Sequence, residues 1–305
     1  MLFRSFRKHT MPKIKIADKS GFCFGVRRAI SLAEKTADLH KKVYTLGPVI
    51  HNPQEVERLE KRGIKTLKNP KRVKEGVIIL RTHGIPRQLH KELKKKKDIE
   101  IIDATCPFVK RAQDIVKELS GRGEAIVIVG EKVHPEVVAL VSYGNGNCAV
   151  VENLKEAKKL KISGCVNIVS QTTQTPENFD SIVKYLKKRY KIKVFNTICR
   201  ATFDRQSSAE KLAGTAELMI VIGGKNSGNT TRLAEICCAK TKTYHIETAG
   251  DLKKSWFKGK NTIGLTAGAS TPYWIIKQVQ GRVEEFCSQD KAVMKKAKAK
   301  SKEKK

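Results

Sequence analysis

A chain of 305 residues, 40% apolar and 30% charged, is long enough for two or three packed cores and too apolar to stay disordered. Its 62 basic and 30 acidic residues leave a formal charge of +32, which raises polyanions and acidic proteins as partners. No apolar run reaches the roughly 20 residues that span a bilayer, so the sequence predicts a soluble protein without a membrane partner.

The first residues carry Arg4, Arg7 and Lys8, no acid, and none of the apolar core of a secretory signal. They read as a basic extension, 1–11, ahead of Met11; a truncated transit peptide is the alternative, and only that would redirect an otherwise cytoplasmic protein to a plastid. Next, the strand-like run Ile14 to Ala17 leads into "KSGFCFGVRRAI", with Cys23 at the turn and a helix from Val26 to Lys35. "VYTLGPVIHNPQEVERL" is a strand followed by His51 and a helix, and "VIILRTHGIPRQLHKEL" a strand followed by His83 and a helix.

The pattern then starts again. "IEIIDATCPFVKRAQDIVKEL" is strand, Cys106, helix, with Pro107 where a first helical turn tolerates proline. "AIVIVGEKVHPEVVALV" places His134 and Glu136 after a strand, and "VNIVSQTTQTPENFDSIV" places Thr172 after another. A third round opens with "IKVFNTICRATFDRQSSAEKLAG" around Cys199. "LMIVIGGKNSGNTTRLAEI" carries Ser227, Gly228 and Asn229, and "TIGLTAGASTPYWIIKQV" carries Ser270. Three βα-rich units of about 70 to 95 residues therefore recur in one α/β chain. The predicted divisions are 12–105, 106–198 and 199–269, a return helix over 270–288 and a disordered basic tail over 289–305.

Parallel strands gather ligands at their carboxyl ends, and helix N-termini offer free N–H groups to anions. Every polar motif falls at such a place, so one central site shared by three units follows. Three thiols, one per unit, point to a metal held by thiolates. An iron–sulfur cluster with one iron lacking a protein ligand and a zinc ion with an open position both fit; three unrelated turn cysteines are the plain alternative. The other five of the eight cysteines, 148, 165, 237, 238 and 287, read as buried structural thiols. The histidines, Ser227, Asn229, Ser270 and backbone N–H groups suit a phosphate or diphosphate. "GGKNSGNTT" fails the spacing of a P-loop, so ATP is not supported. Glu136, the one carboxylate in these loop motifs, reads equally as a proton donor and as a first-turn acid facing the helix dipole. Aromatics do not interleave with the lysine runs, so no nucleic-acid partner is expected and the charge reads as solvated helix faces.

Taken in order, "GFCFGVRRAI", "VIHNPQEVERL", "RTHGI", "DATCPFV", "HPEV", "SQTTQT", "ICRATFDRQ", "GGKNSGNTTRLAEI" and "TAGAST" resemble the 4-hydroxy-3-methylbut-2-enyl diphosphate reductases over residues 12–288. The resemblance implies a trefoil of three pseudo-equivalent α/β domains with mainly parallel sheets around a central iron–sulfur site. It implies a [4Fe–4S] cluster on Cys23, Cys106 and Cys199, with one iron left for the substrate's allylic hydroxyl. Two electrons and two protons would remove that hydroxyl as water and yield isopentenyl and dimethylallyl diphosphates, the last step of the methylerythritol phosphate route to isoprenoids. By the same matching, His51, His83, His134, Ser227, Asn229 and Ser270 bind the diphosphate, Glu136 donates the proton and Thr172 stands near the reacting end. Gly228, also in the diphosphate motif, stands where many relatives have serine, and Ser170 stands in place of a threonine. A ferredoxin or flavodoxin would supply electrons. Two rival readings are a quinolinate synthase-like iron–sulfur enzyme, whose motifs match "HPE" and "GGKNSGN" poorly, and a basic RNA-binding protein with structural zinc.

Overall fold

The computed structural model describes residues 11–67, 69 and 73–302, with 290–302 as backbone alone; the expected extension, Met11 apart, lies outside these residues. The described chain opens with β1 (Lys13–Ile16) and α1 (Phe24–Leu39). Next come β2 (Val43–Leu46), α2 (Pro53–Lys61), β3 (Ile64–Leu67), β4 (Gly76–Leu80), α3 (Arg87–Lys94) and β5 (Ile99–Asp103). The next round is α4 (Pro107–Gly121), β6 (Ala125–Val129), α5 (Pro135–Tyr143), β7 (Cys148–Val151), α6 (Leu154–Ala157), β8 (Cys165–Ser170), α7 (Pro176–Lys187) and β9 (Lys191–Phe195). The last is α8 (Arg200–Ala213), β10 (Leu218–Ile222), α9 (Gly228–Cys238), β11 (Thr243–Ile246), β12 (Thr262–Ala267) and α10 (Tyr273–Lys302). No described helix is long and apolar enough to cross a membrane.

The strands form three four-stranded sheets, β3-β2-β4-β5, β7-β6-β8-β9 and β11-β10-β12-β1, and every pairing is parallel. Each sheet has the same order: second strand, first, third, fourth. In the third sheet the fourth place is filled from the start of the chain, with Ile14 opposite Ile263 and Ile16 opposite Leu265. That differs from the expected division, which put β1 in the first domain. Compact packing also divides the chain differently, into one unit over Phe22–Asp204 and another joining the segment up to Gly21 with the chain from Arg205 onward. The cysteines therefore mark the places where the chain leaves one sheet and begins the next.

Parallel strands covered on both faces need continuous apolar runs, and the central strands supply them. In the Phe22–Asp204 unit, Ile79 of β4 packs with Ala29, Ile30 and Ala33 of α1, while Ile78 and Leu80 face Ile85 and Leu93. Likewise Val127 and Ile168 meet Phe179, Ile182 and Leu186 of α7, and Ile126 and Ile128 meet Val116 of α4 and Leu140 of α5. In the other unit Ile220 and Leu265 pack against Ile276, Val279 and Val283 of α10, and Met219 and Val221 against Ala209 and Leu233. Edge strand β9 keeps Lys191 and Lys193 exposed, which discourages further pairing.

Helix α10 runs on to Lys302, where a disordered tail from residue 289 was expected. The segment 290–302 has no glycine or proline and is rich in alanine and lysine, which favour helix. All eight cysteines are free; Cys237 and Cys287 are buried as expected, whereas Cys148 and Cys165 are half-buried and Cys238 is exposed.

Candidate active site

In a sheet ordered second, first, third, fourth, connections leave in opposite directions from the first and third strands, and ligands bind where they part. The loops after β2 and β4 carry His51 and His83; the loops and helix starts after β6 and β8 carry His134, Glu136 and Thr172; those after β10 and β12 carry Ser227, Gly228, Asn229 and Ser270. Each predicted non-cysteine site residue thus falls after a first or third strand of its sheet. The cysteines follow the fourth strands.

The thiols lie in the Phe22–Asp204 unit. Cys23 and Cys106 are the N-cap residues of α1 and α4, and Cys199 immediately precedes α8. The Cys106 N–H donates to the Thr82 carbonyl at 3.0 Å, and the Cys199 N–H to the Thr172 carbonyl at 2.9 Å. Each of these cysteines is thereby tied to the loop after the third strand of its sheet. Burial pushes the Cys106 thiol up to about 11; the Phe108 and Val109 N–H groups act the other way, and Cys23 and Cys199 add to the rise. The three thiols are thus close enough to feel one another. A Cβ on Gly25 would stand 2.5 Å from Cys106 Sγ, so the second glycine of "GFCFG" is required by close approach to the neighbouring thiol.

Three half-buried thiols at helix starts, close enough for Cys23 and Cys199 to act on Cys106, suit a cationic metal group that thiolates can ligate. Among the described residues, one group of three possible metal ligands has its ligand atoms all within 4.8 Å of one another: His51, His83 and His134.

The three imidazoles form a cage, with ring centroids 4.5 Å apart for His51–His83, 5.3 Å for His83–His134 and 5.7 Å for His51–His134. Burial lowers all three, reinforced by the Arg81 guanidinium; His134 falls to about 4. His134 Nδ1 accepts the Glu136 N–H at 3.2 Å, so its Nε2 carries the proton of the neutral ring. The cage is tight enough for a metal ion, but the cation beside it favours an anion. Arg81 is held by its Nε bond to the Gly84 carbonyl at 3.3 Å.

Glu136, the second residue of α5, is only 1% exposed. Burial raises its carboxyl to about 7 and outweighs two bonds that stabilise the anion, from Thr172 N–H at 2.6 Å and Thr172 Oγ1 at 2.8 Å. Such a group is part proton donor, part base at neutral pH. A first-turn acid facing the helix dipole is ordinarily solvated, whereas Glu136 is buried.

In the other unit Ser227 is the N-cap of α9, Gly228 opens the helix, and Asn229 is 4% exposed with neither side-chain polar atom hydrogen-bonded. Thr230 Oγ1 is wedged against Gly223 and Gly268, where a Cβ would stand 3.0 and 2.0 Å away. Ser270 is buried nearby in sequence to Gly268, whose N–H donates to Ile222 O at 3.0 Å. A helix start, a buried unsatisfied amide and small residues make an anion cradle.

Sequence reasoning missed Arg81, whose charge is one among 62 basic residues, and Gln171. Gln171 Oε1 accepts the Glu131 N–H at 2.9 Å and Nε2 donates to Thr173 Oγ1 at 2.9 Å, joining the loops after β6 and β8. A glutamine amid a β-strand terminus and two threonines was its only signal.

The molecule is thus a parallel α/β protein of three like-ordered sheets, with a thiol set, an imidazole cage and a buried acid at its strand ends. The chain belongs to the LytB protein family, whose profile matches residues 14–284. The 4-hydroxy-3-methylbut-2-enyl diphosphate reductase of Pelobacter propionicus is 48% identical over 276 residues, covering 90% of this chain and 98% of that protein. That of Aquifex aeolicus is 47% identical over 283 residues, covering 91% and 98%. A solved (E)-4-hydroxy-3-methyl-but-2-enyl diphosphate reductase, described as the terminal enzyme of the non-mevalonate pathway, is 47% identical with a TM-score of 0.67 over 90% of this chain and 100% of its own. The E-1-hydroxy-2-methyl-but-2-enyl-4-diphosphate reductase of Plasmodium falciparum is 30% identical with a TM-score of 0.83, covering 90% and 87%.

Proposed function

We propose that this protein reductively dehydroxylates 4-hydroxy-3-methylbut-2-enyl diphosphate to isopentenyl and dimethylallyl diphosphates, the closing step of the methylerythritol phosphate pathway. The observation that carries this is Thr172: its N–H and hydroxyl hold the neutral-range acid Glu136, and its carbonyl accepts the N–H of Cys199. Proton supply and a thiol are linked through one residue.

Removing an allylic hydroxyl as water takes two electrons and two protons. Cys23, Cys106 and Cys199 would hold a [4Fe–4S] cluster with one iron free of protein ligands, which when bound supplies electrons and Lewis acidity. The chain's own groups do the rest. Glu136 holds a proton at a carboxyl oxygen and Thr172 Oγ1 passes it toward the leaving hydroxyl. The neutral imidazoles of His51, His83 and His134 accept protons when the diphosphate arrives. Ser227, Asn229, Ser270 and the Gly228 backbone offer hydrogen bonds that suit a diphosphate, and remote diphosphate binding energy fixes the reacting carbon. Gly228 has no side-chain hydroxyl, so at that position only the backbone N–H can serve the anion. We assign the enzyme to the cytoplasm, with a ferredoxin or flavodoxin as electron donor.

Anaerobic purification followed by iron, sulfide and zinc analysis and assay with reduced viologen tests the reading. It expects about four irons per chain and both C5 diphosphates as products. A colourless zinc protein, or an iron protein that leaves the alcohol intact, overturns it.

A further inference from the structure

We infer that the starts of α1, α4 and α8 form a docking surface for an acidic one-electron carrier protein. The inference rests on the reductase reading, which requires electrons to reach the thiol site from outside. Buried rings elsewhere in the chain, such as Phe179 and Phe257, show how this sequence ordinarily uses phenylalanine. Three others break that habit in the same place. Phe24, Phe108 and Phe203 are 57%, 42% and 53% exposed, and each lies in the first turn after a cysteine. Phe24 follows Cys23 directly, the Phe108 N–H points at the Cys106 thiol, and the Phe203 N–H donates to the Cys199 carbonyl at 3.2 Å. Apolar rings at a solvent face, a few bonds from half-buried thiols, suit a contact surface rather than a core.

The charge around them selects the partner. Arg27 and Arg111 are exposed and have no ion-pair partner among the described residues. The Arg200 side chain is 91% exposed, its acid Asp204 lying at 3.9 Å. Lys110 is drawn back onto Asp103 at 3.1 Å, and Arg28 onto the Asp103 and Thr105 carbonyls at 3.2 and 3.3 Å. A cationic rim on a chain of net charge +32 repels a second copy of itself and steers an acidic protein. The carrier is oxidised by one electron per encounter and two encounters serve each turnover; the alcohol gains both electrons and two protons and leaves water. No covalent bond forms between the proteins.

The test uses the full-length holoenzyme and the variant Arg27→Glu/Arg111→Glu/Arg200→Glu, with Phe203→Ser as a second. Turnover is measured with reduced flavodoxin or plant-type ferredoxin and, separately, with reduced methyl viologen; carrier binding is read by calorimetry without turnover. The charge-reversed protein is expected to show carrier KM and Kd raised at least about tenfold and a flattened salt dependence, with the viologen rate within about twofold of wild type. Phe203→Ser raises both constants without changing salt dependence. Unchanged carrier binding, an equal loss with viologen, or a change only in self-association or RNA binding overturns the proposal. Failure of the reductase reading shows separately, as wild-type protein that binds carrier yet gives no product with viologen.

Discussion

Replacing Glu136 by glutamine tests the buried acid from two sides. The substitution keeps the shape and the acceptor for the Thr172 N–H but cannot ionise. Burial raises the carboxyl from 4.5 to about 7 in the folded protein. The folded state therefore holds this proton more tightly than the unfolded chain. The stability so contributed is complete below pH 4.5 and is lost as pH rises through about 7. At about 1.4 kcal/mol per pH unit, the ionised carboxylate costs the native state on the order of 3 kcal/mol above neutrality. Glu136→Gln escapes that cost. Its thermal midpoint should match wild type near pH 4.5, pull ahead between there and pH 7, and keep a constant lead of several degrees above. Turnover should fall at least about a hundredfold, with iron content unchanged. Wild-type turnover should drop about tenfold per pH unit above 7 as the donor proton is lost. A midpoint difference that does not vary with pH, or near-normal turnover by the variant, would refute both the ionisation argument and the role.

Gly25→Ala places a methyl 2.5 Å from Cys106 Sγ, so iron content should fall by more than about half while the secondary structure seen by circular dichroism persists, because helix starts shift more readily than sheets. Asn229→Ala removes a buried amide that makes no hydrogen bond; it should raise stability by about 1–3 kcal/mol and raise KM more than it lowers kcat, as measured by denaturation and steady-state kinetics. Inorganic diphosphate should take up protons on binding, because the anion raises imidazoles that burial holds low; calorimetry in buffers of different ionisation enthalpy reads the uptake, affinity should weaken as pH rises, and both effects should shrink in His83→Asn.

The repeat was legible because parallel strands carry their chemistry at one end, so Cys23, Cys106 and Cys199 sit in matching strand–turn–helix contexts. Hydrophobic pattern identified β1 as a strand but carries no information on its partner, which is why its place beside β12 had to come from the structure. Cys23, His51, His83, His134, Glu136 and Thr172 were legible as motif residues. What raises Glu136 toward neutrality was not, since burial is a property of the packed whole. Arg81 was hidden by composition, and nothing in "GFCFG" tells exposed Phe24 from Phe22, which packs inward.

The pairing of β1 with β12 also sets an order of events at the ribosome. Lys13 and its partner Thr262 lie almost a full chain apart, so β1 emerges roughly 12 to 50 seconds before its neighbour at ordinary elongation rates. The two sheets of the Phe22–Asp204 unit use only nearer partners, and all their strands emerge before β10 and β12. The third sheet waits, with an orphan strand tethered at the far end of the nascent chain. Chaperone demand should therefore concentrate on that sheet, and a chain cut short before Thr262 should keep two sheets and lose the third.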